Sequence, residues 1–425
     1  MPRWLFFGAL LLLAPARAED APVTAEQRDA ALAKAFRYLD EQLWKLQDGG
    51  SPRRQYSMAV AGWAYLLASD KGGKTLPPRK QQIDRIHDEL LRYVERVEKQ
   101  YAKDDKREKD GKPPPVGPDG FPMDMEAMYT AQFVWPLSVA ACFFAECAAR
   151  GKHTADSKRA LKAIAAVLET SQQENGGWGH DDASRPGMGL PPIKIPKPGG
   201  GESTYPGTLL AASHCALAGL GITLKTLGTK KTDALERGRG YFSASQNANG
   251  TYPYDPSQKH DVAAAEAPML GAIEVARTAG AVFALFCAGL PAGDAAAGKA
   301  LDAIDAQPDL VSEGHGSATM ALQYGALLAR SRGDRAWQTF RAIFFSRIVN
   351  GQAPTGACSC ICKHEDGAVT CDTAPIPGMP GADEYAAGNK TYVTAIHALI
   401  LALDRTQPRV LPAVPGPKGP VTPEK

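Results

Sequence analysis

Beyond its first eighteen residues this 425-residue chain has no apolar run long enough to cross a bilayer. It has no excess of either charge. The formal net charge is +2, so no basic surface stands ready for nucleic acid. No convincing stretch alternates apolar with polar residues, which argues against a sheet. These absences exclude a polytopic membrane protein, a nucleic-acid binder and an all-β fold. What remains is 44% hydrophobic and 22% charged residues, the balance of a soluble globular chain. The length suits one large domain or two ordinary ones.

The start of the chain is the exception. Arg3 is followed by the apolar run Trp4 to Ala14 and then by Ala16-Arg17-Ala18. A basic residue, a short apolar core and a small-x-small site describe a secretory signal peptide at residues 1–18. The expected setting is therefore secreted or periplasmic, with no membrane span. Losing Arg3 and Arg17 with the leader takes the formal charge from +2 to zero. Such a compartment permits disulfides.

The remainder alternates apolar helical segments with Gly- and Pro-rich loops. Apolar residues recur at three- and four-residue steps over 25–46, 56–69, 80–100, 128–149, 157–171, 207–219, 271–289, 317–330 and 390–404. Val134–Ala149 and Ala279–Leu290 are apolar on nearly every side, as helices between other helices are. Lys80–Gln100 carries many charges and belongs outside them. A buried layer inside a wetter layer predicts two concentric rings.

Repeats support that reading. Leu168 to Trp178 ends a helix with a glutamine, Gln172 or Gln173, and then Gly-Gly-Trp. Related blocks occur around Gln47, around Gln246 with Gly250 and Tyr252, and more faintly around Gln352 with Gly356. Gln100 and Gln307 are weak candidates for the two largest gaps. Glycines end helices, an amide can satisfy terminal carbonyls, and a tryptophan covers the neighbour with a large apolar face. The block reads as a structural staple, and six helix pairs closing into a ring is the economical arrangement.

Helix, Phe/Leu-x3-Gln and Gly-x-Trp in this order resemble the repeats of squalene-hopene cyclases and of protein prenyltransferase β subunits, the terpenoid cyclase and prenyltransferase superfamily. Residues 317–337 resemble the helix-pair core of secreted bacterial proteins with such repeats. The resemblance spans roughly residues 30–405 and implies an all-α fold, an α/α toroid of about six helix pairs with a central cavity. The family's chemistry does not come with it. The Asp-x-Asp-Asp acid of the cyclases is missing. Val393 stands in Tyr392-Val393-Thr394, where a zinc-binding histidine of the prenyltransferases would be expected. The Gly-Cys-Gly-Glu-Gln motif of the thioester proteins is absent too.

Chemistry could still reside in loops converging on the mouth of such a ring. His180, Asp181 and Asp182 follow the sharpest staple, and a carboxylate there could orient an imidazole for acid–base work. An Asp capping the next element is the competing role. His315, in Ser312-Glu-Gly-His-Gly-Ser317, precedes an apolar helix. Tyr129, Tyr205, Glu266 and Tyr385 are candidates to line the cavity. His214 and His397, each inside an apolar helix, are expected to be hydrogen-bonded core residues.

Cys358, Cys360, Cys362 and Cys371 lie within fourteen residues of one another, with His364 among them. Two local disulfides are the preferred expectation in a secreted chain, in a pairing that sequence does not choose. A thiolate zinc site is the alternative, and no other cofactor is expected. Cys142, Cys147, Cys215 and Cys287 read as small buried hydrophobes. The organisation expected is a toroid over 25–405 carrying a Cys-rich loop at 356–375, then a Pro-rich disordered or extended tail at 408–425. Residues 103–118 read as a solvated loop and 186–202 as an insertion able to cover the cavity. The functional expectation is a protein that binds a small molecule, an isoprenoid or glycan, or a protein partner through the cavity or one face. The alternative is an enzyme of lyase or cyclase type using the His and Asp residues above.

Overall fold

A computed structural model describes residues 22–46, 52–69, 76–110, 133–179, 194–196, 202–204, 208–229, 231–254, 256, 259, 268–312, 318–361 and 382–417. The described helices are α1 (Ala25–Gln42), α2 (Pro52–Ser69), α3 (Lys80–Lys109), α4 (Val134–Ala149), α5 (Thr154–Thr170), α6 (Leu210–Leu227), α7 (Asp233–Ser245), α8 (Pro268–Cys287), α9 (Ala295–Ala306), α10 (Ala318–Ser331), α11 (Asp334–Asn350) and α12 (Ala382–Arg405). A 3-10 turn, Pro308–Ser312, precedes α10. A hairpin of two three-residue strands, β1 (Lys194–Pro196) with β2 (Glu202–Thr204), pairs antiparallel across the end of the 186–202 insertion.

The even-numbered helices form a closed inner ring. Each packs on the next, α2 on α4, α4 on α6, α6 on α8, α8 on α10, α10 on α12, and α12 back on α2. The odd-numbered helices lie outside, α3 against α2 and α4, α5 against α4 and α6, and α7 against α6 and α8. The fold is an all-α, double-layered α/α toroid. Composition explains the layering. In α4 and α6 nearly every side chain is buried, whereas α1, α5 and α7 bury one face each. Helix α6 is long and apolar enough to cross a membrane, which corrects the reading that no run beyond the leader is, but here it is an inner stave of the ring.

Local signals set the ends. Thr24 and Gln27 form a capping box on α1, Thr232 and Asp294 cap α7 and α9, and Gly228 closes α6 in the left-handed region. Helices α7, α9 and α11 went unread in the sequence pattern. Gly238 and Gly240 interrupt α7, and polar residues break the apolar rhythm of α11. The 103–118 segment is corrected in part, because α3 continues to Lys109.

Three joints between an outer helix and the following inner helix repeat one design. Gln172 Nε2 donates to Gly176 O (2.9 Å) and to Ala234 O of α7 (2.8 Å). Gln246 does the same to Gly250 O and to Ala296 O of α9, at 3.0 and 2.9 Å. Gln352 does it to Gly356 O and to Ala31 O of α1, at 3.1 and 3.0 Å. Gly176, Gly250 and Gly356 all have φ near +90°. A Cβ on them would strike the carbonyls of Arg237, Lys299 and Lys34 respectively, so only glycine fits. The residue six after each glutamine, Trp178, Tyr252 or Cys358, donates its amide to an inner-helix hydroxyl, Ser213, Thr278 or Thr394.

The staple glutamine of the first block is thus Gln172; Gln173 uses its main chain to close the turn with Gly177. Gln100 lies buried within α3 and Gln307 is an exposed C-cap of α9, so neither is a staple. Gln47 lies outside the described residues.

The third staple ties the last repeat to the first helix and closes the ring. Charge adds to the closure. Asp404 of α12 accepts from Arg28 Nη1 of α1 (2.6 Å) and from Trp337 Nε1 of α11 (2.8 Å), and Arg405 pairs with Asp29. Residues 408–417, expected from composition as tail, lie against the ring. Glu146 at the end of α4 accepts the amides of Arg409 and Val410, Arg332 Nε donates to Pro415 O (3.0 Å), and Val410, Leu411 and Val414 are buried. Proline keeps this strap extended while its branched side chains fix it. Residues 418–425 and 1–21 lie outside the described residues.

Candidate functional site: the mouth of the ring

All six inner helices run in the same direction, so their N-terminal ends surround one mouth. The outer-to-inner connections at this end are long, spanning 110–133, 171–209, 246–267 and 351–381. Those at the other end are short, 150–153, 228–232 and 332–333 among them. Length and polar residues gather at the mouth, as they do where a scaffold carries function.

The floor of the mouth is built from contacts that cross the axis. Helix α8 separates α6 from α10 in the ring, yet Cys215 Sγ lies 3.9 Å from Met320 Sδ, and the His214 ring meets Tyr324 edge-on at 4.5 Å. Helix α12 separates α2 from α10, yet Tyr56 donates its hydroxyl to Gln323 Oε1 at 2.9 Å. Tyr392 of α12 packs on Tyr56 with ring centroids 5.4 Å apart. The axis is filled at this level. Met320 is half-buried, as are Ala211, one turn before Cys215 on α6, and Trp135, two turns before Cys142 on α4.

Burial keeps the floor uncharged. It pushes the Cys142 and Cys215 thiols up to about 12 and raises the Tyr56 and Tyr324 hydroxyls well above the phenol range. It holds His214 down to about 3, against one hydrogen bond to the Leu210 carbonyl. Among the described residues, His214 Nε2 and both nitrogens of His397 find no hydrogen-bond partner, which corrects the expectation of fully bonded core histidines. His397 too is held neutral, near 3, by desolvation. No described floor group changes charge near neutrality. The floor offers neutral donors and acceptors set in an apolar surface.

The residues singled out from sequence fall mostly elsewhere. His180, Asp181, Asp182, His315, Tyr129, Tyr205, Glu266, Cys362, His364 and Cys371 lie outside the described residues, and Tyr385 lies in α12 without a described side chain. Their described neighbours do reach the mouth. Leu209 N bonds Trp178 O beside the start of α6, and α10 begins at Ala318, two residues before Met320.

Cys358 takes the staple position that Trp178 and Tyr252 hold elsewhere. It is buried, with its thiol raised to about 12, which marks an inert thiol. Cys360 leaves the wall toward Thr319, whose hydroxyl is 3.8 Å from its sulfur. Among the described residues no two cysteines form a disulfide, and no three His, Cys, Asp or Glu side chains gather as a metal centre. The floor residues were missed from sequence because Tyr56, Tyr392 and Cys215 sit in apolar helices that read as plain core. Gln323 was the available signal, a primary amide inside a buried helix, which needs a partner.

No known family pattern matches this chain, and no curated protein matches it. Several solved structures are similar. The type II terpene cyclase MstE from Scytonema is 15% identical, over 89% of this chain and 99% of that one, with a TM-score of 0.47. A variant of that cyclase, in complex with its substrate geranylgeranyl dihydroxybenzoate, is 14% identical over 90% and 100% of the chains, at 0.46. A possible member of the GH105 family from Salmonella enterica serovar Paratyphi A is 13% identical over 94% and 99%, at 0.44.

Proposed function

We propose that this chain is a secreted or periplasmic toroid that holds an uncharged, largely apolar small molecule in the mouth of its inner ring, without acid catalysis from the ring floor. The observation that carries the reading is the floor itself. Gln323 and Tyr392 stand with Tyr56, Tyr324 and His214 beside Met320 and Cys215, and burial stops Tyr56, Tyr324 and His214 from ionising. Such a surface orients a ligand through a few hydrogen bonds and takes up its body by contact. Protonating an alkene needs a strong acid, and a His held near 3 or a Tyr held above its usual range supplies none at neutral pH. An isoprenoid fits better than a glycan, because a sugar needs more hydrogen-bond partners than these. Cys358 and Cys360 form no disulfide, so the proposal keeps only a disulfide between Cys362 and Cys371, with zinc in this cluster as the alternative.

The enzyme reading keeps one supporting observation. The described ends that lead into residues 180–182 and 313–317 both stand at the mouth.

Calorimetric titration with geranylgeraniol, a neutral isoprenoid alcohol, tests the proposal. The wild type is expected to bind at one to one, and Ala211→Trp, which adds bulk one turn before Cys215, to weaken binding at least tenfold at unchanged melting temperature. No binding by the wild type, or equal binding by the folded variant, would sink it. Binding of a neutral oligosaccharide in its place would overturn the isoprenoid assignment. Turnover abolished by His180→Ala would replace the binding reading with the enzyme reading.

A further inference from the structure

The joint between α9 and α10 breaks the staple pattern, and a cavity stands there. In the stapled joints α5–α6 and α7–α8, the glutamine reaches the carbonyl of the second residue of the next outer helix, Ala234 of α7 or Ala296 of α9. At Trp178 the aromatic ring lies over Gly238, the sixth residue of α7. The corresponding outer helix for the α9–α10 joint is α11, whose second and sixth residues are Arg335 and Thr339. Here Gln307 is exposed, and Pro308 sends the chain into a 3-10 turn that passes α11 without a staple. A cavity of about 240 Å³ results, bounded by Arg335 and Thr339 on one side and by Ile304, Val311 and Leu328 on the others. That volume equals on the order of eight water molecules at ~30 Å³ each, ample for one aromatic side chain and an amide.

We propose that this cavity is a binding slot for a small aromatic carboxamide, the chemistry that fills the equivalent space in the stapled joints. Three features favour that ligand. The wall is apolar where Trp178 and Tyr252 pack elsewhere, with Val311, Leu328 and Phe340 in their surroundings. The Thr339 hydroxyl, which donates to Arg335 O at 3.2 Å, leaves its oxygen to accept an incoming N–H in the place of the glutamine amide. Two of the three ionic groups at the rim, Arg332 and Asp305, satisfy each other. Arg332 grips Asp305 through two bonds of 2.6 and 2.8 Å and donates its third to Pro415 O, so the slot calls for a neutral ligand. Pro417 of the C-terminal strap forms part of the wall, so the strap and the slot share a boundary.

The slot lies between outer helices α9 and α11, off the axis where the floor residues meet, and its test is independent of the function proposed above. N-acetyltryptophanamide is the probe, followed by ligand-observed NMR and by calorimetry on the full chain. Saturable one-to-one binding in the millimolar range or tighter is expected. Ala336→Trp and Ala329→Phe place bulk in the slot and should each weaken binding at least tenfold, with the melting temperature showing which variants fold. Ala211→Trp at the mouth should leave the affinity unchanged. The absence of saturable binding, its survival in whichever slot variant folds, or its loss in Ala211→Trp would overturn the assignment.

Discussion

The joints Gln246–Tyr252 and Gln307–Ser312 occupy the same place in successive repeats. The first is a tight turn in which one side-chain amide holds two carbonyls, a glycine at φ +91° lies on the next helix, and an aromatic ring fills the gap. The second begins with a glutamine as well, but proline follows it, and neither the glycine nor the aromatic is present. The first joint is closed by the side-chain amide and the ring, and the second borders a cavity. A glutamine at the end of an outer helix therefore does not make a staple. The glycine four residues later does, because without a left-handed residue the turn cannot bring the amide back to the next helix.

The contrast between the two kinds of joint can be tested in order of effect. Trp178→Ala should destabilise the protein by about 3–5 kcal/mol, as truncation of a buried aromatic does. Urea denaturation measures it, and a loss under 1 kcal/mol would deny the staple its structural role. Acid should weaken the ring as a whole and leave the contrast intact. His214 and His397 are held near 3 in the folded chain and titrate near 6.5 when unfolded. The unfolded state therefore binds the extra protons. Stability is complete above about 6.5 and falls by roughly 1.4 kcal/mol per pH unit for each histidine as the pH drops toward 3. His397→Leu should flatten that slope by half, and an unchanged slope would show that the burial is not real.

Gly176→Ala should cost more than Gly228→Ala, although both glycines have positive φ. A Cβ at 228 meets nothing within 4 Å and brings only left-handed strain of about 1–2 kcal/mol. At 176 it also strikes the Arg237 carbonyl, so the turn must open. Equal losses in the two variants would mean that the close approach is relaxed at no cost. The smallest pair is Gln246→Ala against Gln307→Ala. The first strips a donor from two carbonyls and should cost about 1–2 kcal/mol. The second removes an exposed side chain and should stay within about 0.5 kcal/mol.

Much of this architecture was legible in the chain. Apolar periodicity marked nine of the helices, and the repeat of glutamine, glycine and aromatic suggested a ring before any contact was known. The fine register was not legible. Gln172 and Gln173 are equivalent by spacing, and only the reach of the Gln172 amide to the Ala234 carbonyl of the next helix distinguishes them. Cys358 was read as one member of a cysteine cluster. In the fold it stands where two other repeats place an aromatic ring, which no local pattern could show because cysteine shares neither size nor shape with tryptophan.

The sequence by itself determined that the chain is helical, that its helices alternate between buried and wet, and that helix ends carry amides and glycines able to join neighbours. These are local properties, set by side-chain period and backbone freedom. Tertiary structure decided which polar residues meet. Tyr56 and Gln323 are 267 residues apart, and Cys215 and Met320 are 105 apart. Only closure of the ring brings those helices to one axis, and only burial there keeps their side chains neutral. The same closure left one joint with a cavity, because filling it requires three residues in register that this repeat does not have.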